Sequence, residues 1–127
     1  MNTVTITVSD RTIADLLCSA IEGGSNYWIG NMSPRPGKRA VKPWGDDYTP
    51  SYIEAPFSGS LVIMVSDEDD ERSNNTYTLN RARLKQGLQI MAEDYPEAFS
   101  EVLADNMDAT TGDMFLQCCL FNEVVYG

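Results

Sequence analysis

The chain has 127 residues, 43% of them apolar and 22% charged, with no histidine, three cysteines and a formal charge of −10. Length and composition are those of one globular domain that buries a core without a staple. They exclude a membrane-spanning helix, a disulfide scaffold and broad contact with nucleic acid or anionic membrane, which so acidic a surface repels.

Residues 3–8 read Thr-Val-Thr-Ile-Thr-Val, a strict alternation that predicts a strand with Val4, Ile6 and Val8 pointing inward. Ser9 or Asp10 then caps a helix whose Ile13, Leu16, Leu17, Ala20 and Ile21 form one apolar stripe, with Gly23-Gly24 as its stop. The short aromatic run 26–29 predicts a second strand, and residues 33–50, rich in Pro, Gly and charge, a long loop. Residues 52–55 predict a short strand. Residues 60–65 and 76–79 predict a hairpin whose tip, 67–75, is acidic. Asn80 caps a helix to about Asp94, and Pro96 opens a shorter one. Asp108 caps the last helix, in which 114–121 is apolar on nearly every side. Such a helix is buried in its own domain or in an oligomer seam. Residues 124–127 predict a strand added to the sheet. The expected fold is α+β in a single domain over 1–127: a small, mostly antiparallel sheet packed against three to four helices.

The missing histidine removes the commonest general base and the commonest metal ligand, and neither a nucleophile–base pattern nor a metal motif is present. Cys18, Cys118 and Cys119 lack Cys-x-x-Cys spacing and read as small core residues. The acidic run from Asp67 does not match a calcium loop, because Arg72 stands where the glycine bend belongs and Leu79 where the bidentate Glu belongs. The expectation is a binding protein, not an enzyme, with no cofactor and no metal. The first residues show no basic-then-apolar export pattern, so the expected location is the cytoplasm.

Charge is segregated. All nine basic residues lie between Arg11 and Lys85, and after Gln86 every charged residue is acidic. Arg81, Arg83 and Lys85 crowd the first turns of their helix, the wrong end for its dipole, which calls for a partner or nearby carboxylates. Two candidate surfaces follow. Glu93, Asp94, Glu97, Glu101 and Asp105, with Asp67, Asp69 and Asp70 of the hairpin tip, form a candidate acidic partner-binding surface. Such carboxylates can stand in for DNA phosphates, which carry one charge per about 1.7 Å of duplex axis. Arg35, Lys38, Arg39, Trp44 and Tyr48, with Tyr52 beyond them, are an alternative: guanidinium on phosphate and ring on base, as a nucleotide site would need. The same residues read first as an exposed loop paired with the acidic remainder of the chain. Asp46 with Asp47, or Asp108 with Asp113, are candidate paired carboxylates, although Asp108 reads first as a helix cap.

Two segments carry a resemblance. Glu22-Gly23-Gly24-Ser25-Asn26-Tyr27-Trp28 near the start, and Asp108-Ala109-Thr110-Thr111-Gly112-Asp113 through Gln117 to Phe121-Asn122-Glu123-Val124-Val125-Tyr126-Gly127 at the end, resemble small proteins encoded by bacteriophages. Their C-termini often read Phe-Gly-Glu-Val-Val-Tyr-Gly, and Asn122 here replaces that glycine. The resemblance covers the two ends well and the middle poorly. It implies an accessory protein that binds and inhibits a host defence or nucleic-acid-acting protein, in the manner of anti-CRISPR or anti-restriction proteins. The acidic charge calls for a partner with a basic surface and for no direct contact with nucleic acid or membrane. Two alternatives stand beside it: a protein that sequesters a nucleotide signal with loop 35–52, and a structural phage protein that oligomerises through 114–121.

Overall fold

The computed structural model describes residues 2–37, 51–67 and 70–127. Helix α1 (Asp10–Ser19) begins where Ser9, in extended conformation, turns its Oγ to the amide of Thr12 at 3.2 Å. Its predicted stripe is buried throughout: Ile13, Leu16, Leu17, Ala20 and Ile21. The helix does not stop on a left-handed glycine. It widens into a π-helical turn, Ala20–Gly24, closed by the Ser25 amide on the Ala20 carbonyl at 2.8 Å. Gly24 is needed for space: a Cβ there would lie 2.9 Å from the carbonyl carbon of Ala109.

Residues 26–28 continue as turn, and strand β1 (Ile29–Arg35) starts later than the sequence predicts. β1 pairs antiparallel with β2 (Ser60–Val65), which pairs antiparallel with β3 (Thr76–Leu79). The result is a three-stranded sheet in the order β1-β2-β3. β2 is central, and its alternation is plain: Leu61, Ile63 and Val65 are buried, while Val62 and Met64 are half-buried.

Between β1 and β2 lies helix α2 (Ser51–Ser58), where a short strand was expected over 52–55. Residues 53–57 are buried one after another, without the alternation of a strand that has one buried face, and Ile53 and Phe57, one helical turn apart, both reach the core. Helix α3 (Arg81–Asp94) is capped by Asn80, whose Oδ1 accepts from the Arg83 amide at 3.0 Å. The cations of its first turn find local partners. Arg81 pairs with Asp10 at 3.1 Å and lies over the Phe57 ring, 5.4 Å from its centroid. Helix α4 (Pro96–Leu103) starts on Pro96 as expected.

Helix α5 (Ala109–Phe121) opens with a reciprocal capping box between Asp108 and Thr111. It is the central helix, packed on α1, α3, α4 and the π-helical turn. Phe115, Leu116, Gln117, Cys118, Cys119 and Leu120 are all buried within the chain, so the apolar run 114–121 no longer gives a motive for an oligomer seam. The fold is thus α+β, with five α-helices among the described residues and one antiparallel sheet. None of these helices is long and apolar enough to cross a membrane.

Two other predicted strands are absent. Residues 3–8 pair with no strand among the described residues, and Val4 and Ile6 are 84% and 53% exposed instead of buried. Residues 124–127 are not a strand because side chains take their amides. Val124 donates to the Tyr95 hydroxyl at 2.9 Å, and Val125 and Tyr126 each donate to Gln117 Oε1 at 2.7 Å.

Candidate functional site

The two segments that carry the resemblance meet at one carboxylate. Asp113, one turn into α5, is buried and accepts three hydrogen bonds. Its Oδ1 takes the Ser25 hydroxyl at 2.7 Å and the Trp28 indole N–H at 2.8 Å, and its Oδ2 takes the Tyr27 hydroxyl at 2.6 Å. The curl of backbone after the π-helical turn aims all three donors at one point, which a straight strand over 26–29 would not do, since its side chains alternate. Burial, then the bond to Asp113, pushes the Tyr27 phenol well above its usual range.

Gln117, one turn further along α5, continues the clasp. Its Nε2 donates to the Tyr126 carbonyl at 3.2 Å, while its Oε1 holds the two amides already named. Trp28 stacks on Tyr126 at 5.6 Å between centroids and meets Phe121 at 5.3 Å. Ser25 and Trp28 are wholly buried, and all three donors point at an acceptor that they satisfy. The arrangement fastens residues 25–28 to α5 and to the residues that follow it. The expected carboxylate pair of Asp108 with Asp113 is not formed: Asp108 caps α5 at the surface, and Asp113 is spent on the clasp.

The acidic residues divide into two groups. Glu97 and Glu101 stand four apart on α4, so they share a side of the helix. Two adjoining hollows open there. One, of about 270 Å³, is lined by Asp94, Pro96, Glu97, Ala98 and Met114. The other, of about 300 Å³, is lined by Glu97, Ala98, Glu101, Asp108 and Met114. Carboxylates therefore rim a floor made by Ala98 and Met114. Glu101 also accepts from the Thr111 hydroxyl at 2.5 Å, which ties α4 to the start of α5.

Asp108 is held below the usual carboxylate range by the Thr111 amide first and the Thr111 hydroxyl second. Its contribution to stability is present above the ordinary aspartate value and is lost as pH falls through its lowered one. Acid unfolding followed by circular dichroism is expected to show less acid-induced loss in Asp108→Ala than in the wild type. Equal pH slopes would contradict this.

Glu93 and Asp105 are exposed near the same elements, Glu93 at the end of α3 and Asp105 just beyond α4. None of these six carboxylates has a cationic partner among the described residues, whereas Asp10, Asp15 and Asp70 pair with Arg81, Arg11 and Arg72.

The hairpin-tip acids do not join this face. Asp70 accepts from the Arg72 amide at 2.7 Å and from its guanidinium at 3.3 Å, and that guanidinium lies over Phe121 at the far end of α5. Glu101 and Asp108 sit at the near end, one helix length or about 20 Å away. Asp67 belongs to the tip through its carbonyl, which accepts from the Asp70 amide at 3.1 Å, and Asp69 lies outside the described residues. The sequence leaves open whether the acidic residues share one face; among the described residues they fall into two separate groups, and Asp70 in the group at the tip is paired with Arg72.

For the alternative site, Arg35 is exposed at the end of β1, opposite Ser60. Lys38, Arg39, Trp44 and Tyr48, like Asp46 and Asp47, lie outside the described residues. Tyr52 donates to Glu22 at 3.3 Å, which occupies its hydroxyl. The cysteines are buried or half-buried free thiols. Burial raises Cys118 to about 12 and Cys18 to about 11, so neither is a thiolate at neutral pH. Among the described residues no group of side chains could hold a metal ion.

Comparison with protein-family models, with curated proteins and with solved structures finds no match for this chain. The functional reading rests on the residues themselves.

Proposed function

We propose that the protein acts by stoichiometric binding, with the α4–α5 acidic face seated on a basic surface of a nucleic-acid-acting protein. The observation that carries this reading is the pair of adjoining hollows rimmed by Asp94, Glu97, Glu101 and Asp108, none with a cationic partner among the described residues. Lysine or arginine side chains fit such a face in both parts, with apolar stems on Ala98 and Met114 and charged ends on the rim. A partner surface built to hold a phosphate backbone offers those side chains at close spacing. The resemblance to phage proteins supports a partner in the cytoplasm of a bacterial host, and inhibition of a defence or DNA-acting machine as the purpose.

The test is capture of bound proteins from bacterial lysate by the tagged protein at low and high salt. The wild type is expected to retain a nucleic-acid-binding protein at low salt and to release it at high salt, since screened charge carries the contact. The variant Asp94→Lys/Glu97→Lys/Asp105→Lys, which changes only exposed side chains, is expected to lose that protein while its Tm stays within a few degrees. Retention by the charge-reversed variant would remove the acidic face from the account.

A further inference from the structure

The segment 3–8 has the sequence of a strand and no strand to pair with. Among the described residues, 2–8 make no hydrogen bond, although six residues in a row are β-branched. Val4 and Ile6 are 84% and 53% exposed. Val4, Ile6 and Val8 line one side of a hollow of about 250 Å³, whose other side is Leu88 and Ala92 of α3 with Phe99 of α4. An unpaired backbone beside an open apolar hollow is a template for a further strand.

We propose that the strand is the same segment of a second copy, paired antiparallel about a two-fold axis. Three observations select this occupant. The first is register. With the axis at Ile6, Val4 faces Val8, Thr5 faces Thr7 and Ile6 faces its own counterpart, so apolar meets apolar and hydroxyl meets hydroxyl at every position. A slip by one residue sets Val4 against Thr7, and a slip by two sets Val8 against Asn2. The second is charge. Two molecules of charge −10 repel, but residues 2–9 carry no charge, and Asp10 at their base is paired with Arg81. Lys85 is the one charged residue lining the hollow among the described residues. The third is the poverty of the sheet edges as alternatives. β3 has only four residues, and β1 carries Pro34 and an irregular register at Gly30. In the two-fold ribbon the apolar sides of both segments fall on one face, and that face closes the hollow of each copy.

Sedimentation equilibrium on the full chain tests this. The wild type is expected to show a concentration-dependent mass approaching that of two chains. Ile6→Lys is expected to weaken self-association on the order of a hundredfold, because two ammonium groups would face each other across the axis. Its Tm, measured on the monomer, should not move, since Ile6 lies outside the core. In a mild oxidant Ile6→Cys is expected to form a cross-linked dimer faster than Thr5→Cys, which the register places opposite Thr7. A wild type that stays monomeric, with a strand of another protein then left as the occupant, would overturn the proposal. So would association that survives Ile6→Lys, or faster cross-linking at position 5 than at 6.

Discussion

Replacing Asp113 by alanine is expected to lower the unfolding free energy by roughly 3–5 kcal/mol. The substitution deletes an acceptor shared by three donors and leaves the buried Ser25 hydroxyl and the buried Trp28 N–H with no partner. An orphaned buried donor costs about 1–3 kcal/mol, more when its lost partner was charged. Total stability for a domain of this size is about 5–15 kcal/mol, so the variant should be close to its unfolding midpoint under mild conditions. Asp113→Asn is the informative companion. One oxygen remains for Ser25 and Trp28, and only the acceptor of Tyr27 becomes a donor, so the expected cost is about 1–2 kcal/mol. Urea unfolding of the three proteins measures both values. A loss below about 1 kcal/mol for the alanine variant would mean that the clasp does not hold the two ends together.

The second large effect belongs to Gly87, where α3 crosses α5. A Cβ on Gly87 would stand 2.7 Å from the Cα of Cys119 and 2.8 Å from its amide nitrogen, and would overlap the thiol. Helix backbone cannot yield as a flexible side chain can. Gly87→Ala should therefore cost about 1–3 kcal/mol through overpacking, despite the roughly 1 kcal/mol that alanine gains over glycine in a free helix. Gly87→Val should lower Tm on the order of 10 °C or more. Gly23 is the matched control, because a Cβ there meets nothing within 4 Å and its φ is not positive. Gly23→Ala is expected to leave Tm unchanged or to raise it slightly. Thermal unfolding that ranks the two alanine variants the other way would contradict the close crossing.

These positions also show what the sequence could disclose. The helix starts were legible because a cap is local chemistry: Ser9, Asn80 and Asp108 each bond an amide three residues on. The hairpin 60–65 with 76–79 was legible because a continuous apolar, β-prone run is followed by a polar connector and a short returning run. Other β-prone runs were not, since their state depends on what they meet. Residues 52–55 became helix within a segment, 53–57, that is buried without alternation. Residues 124–127 lost their amides to Gln117 and Tyr95, and 3–8 found no strand.

The clasp was out of reach for another reason. Its partners are 85 to 88 residues apart, and nothing in the pattern of either segment names the other. One signal was available: Asp113 is a charged residue at the edge of a helix apolar all round, and such a residue needs donors from elsewhere. For the acidic face, the spacing of Glu97 and Glu101 showed that they share a side. That Asp94 and Asp108 join them required the packing of α3, α4 and α5, and that Asp70 is turned to Arg72 required the geometry of the hairpin tip.

The most direct test of the account is competition. The captured partner is held on labelled duplex DNA at low salt, and the protein is added while fluorescence anisotropy is followed. If the α4–α5 face occupies the groove that binds phosphates, the wild type displaces the DNA at about one molecule per binding site, and the variant Asp94→Lys/Glu97→Lys/Asp105→Lys does not. Binding of the wild type that leaves the DNA in place, or displacement by the charge-reversed variant, would contradict the claim that this face takes the place of nucleic acid.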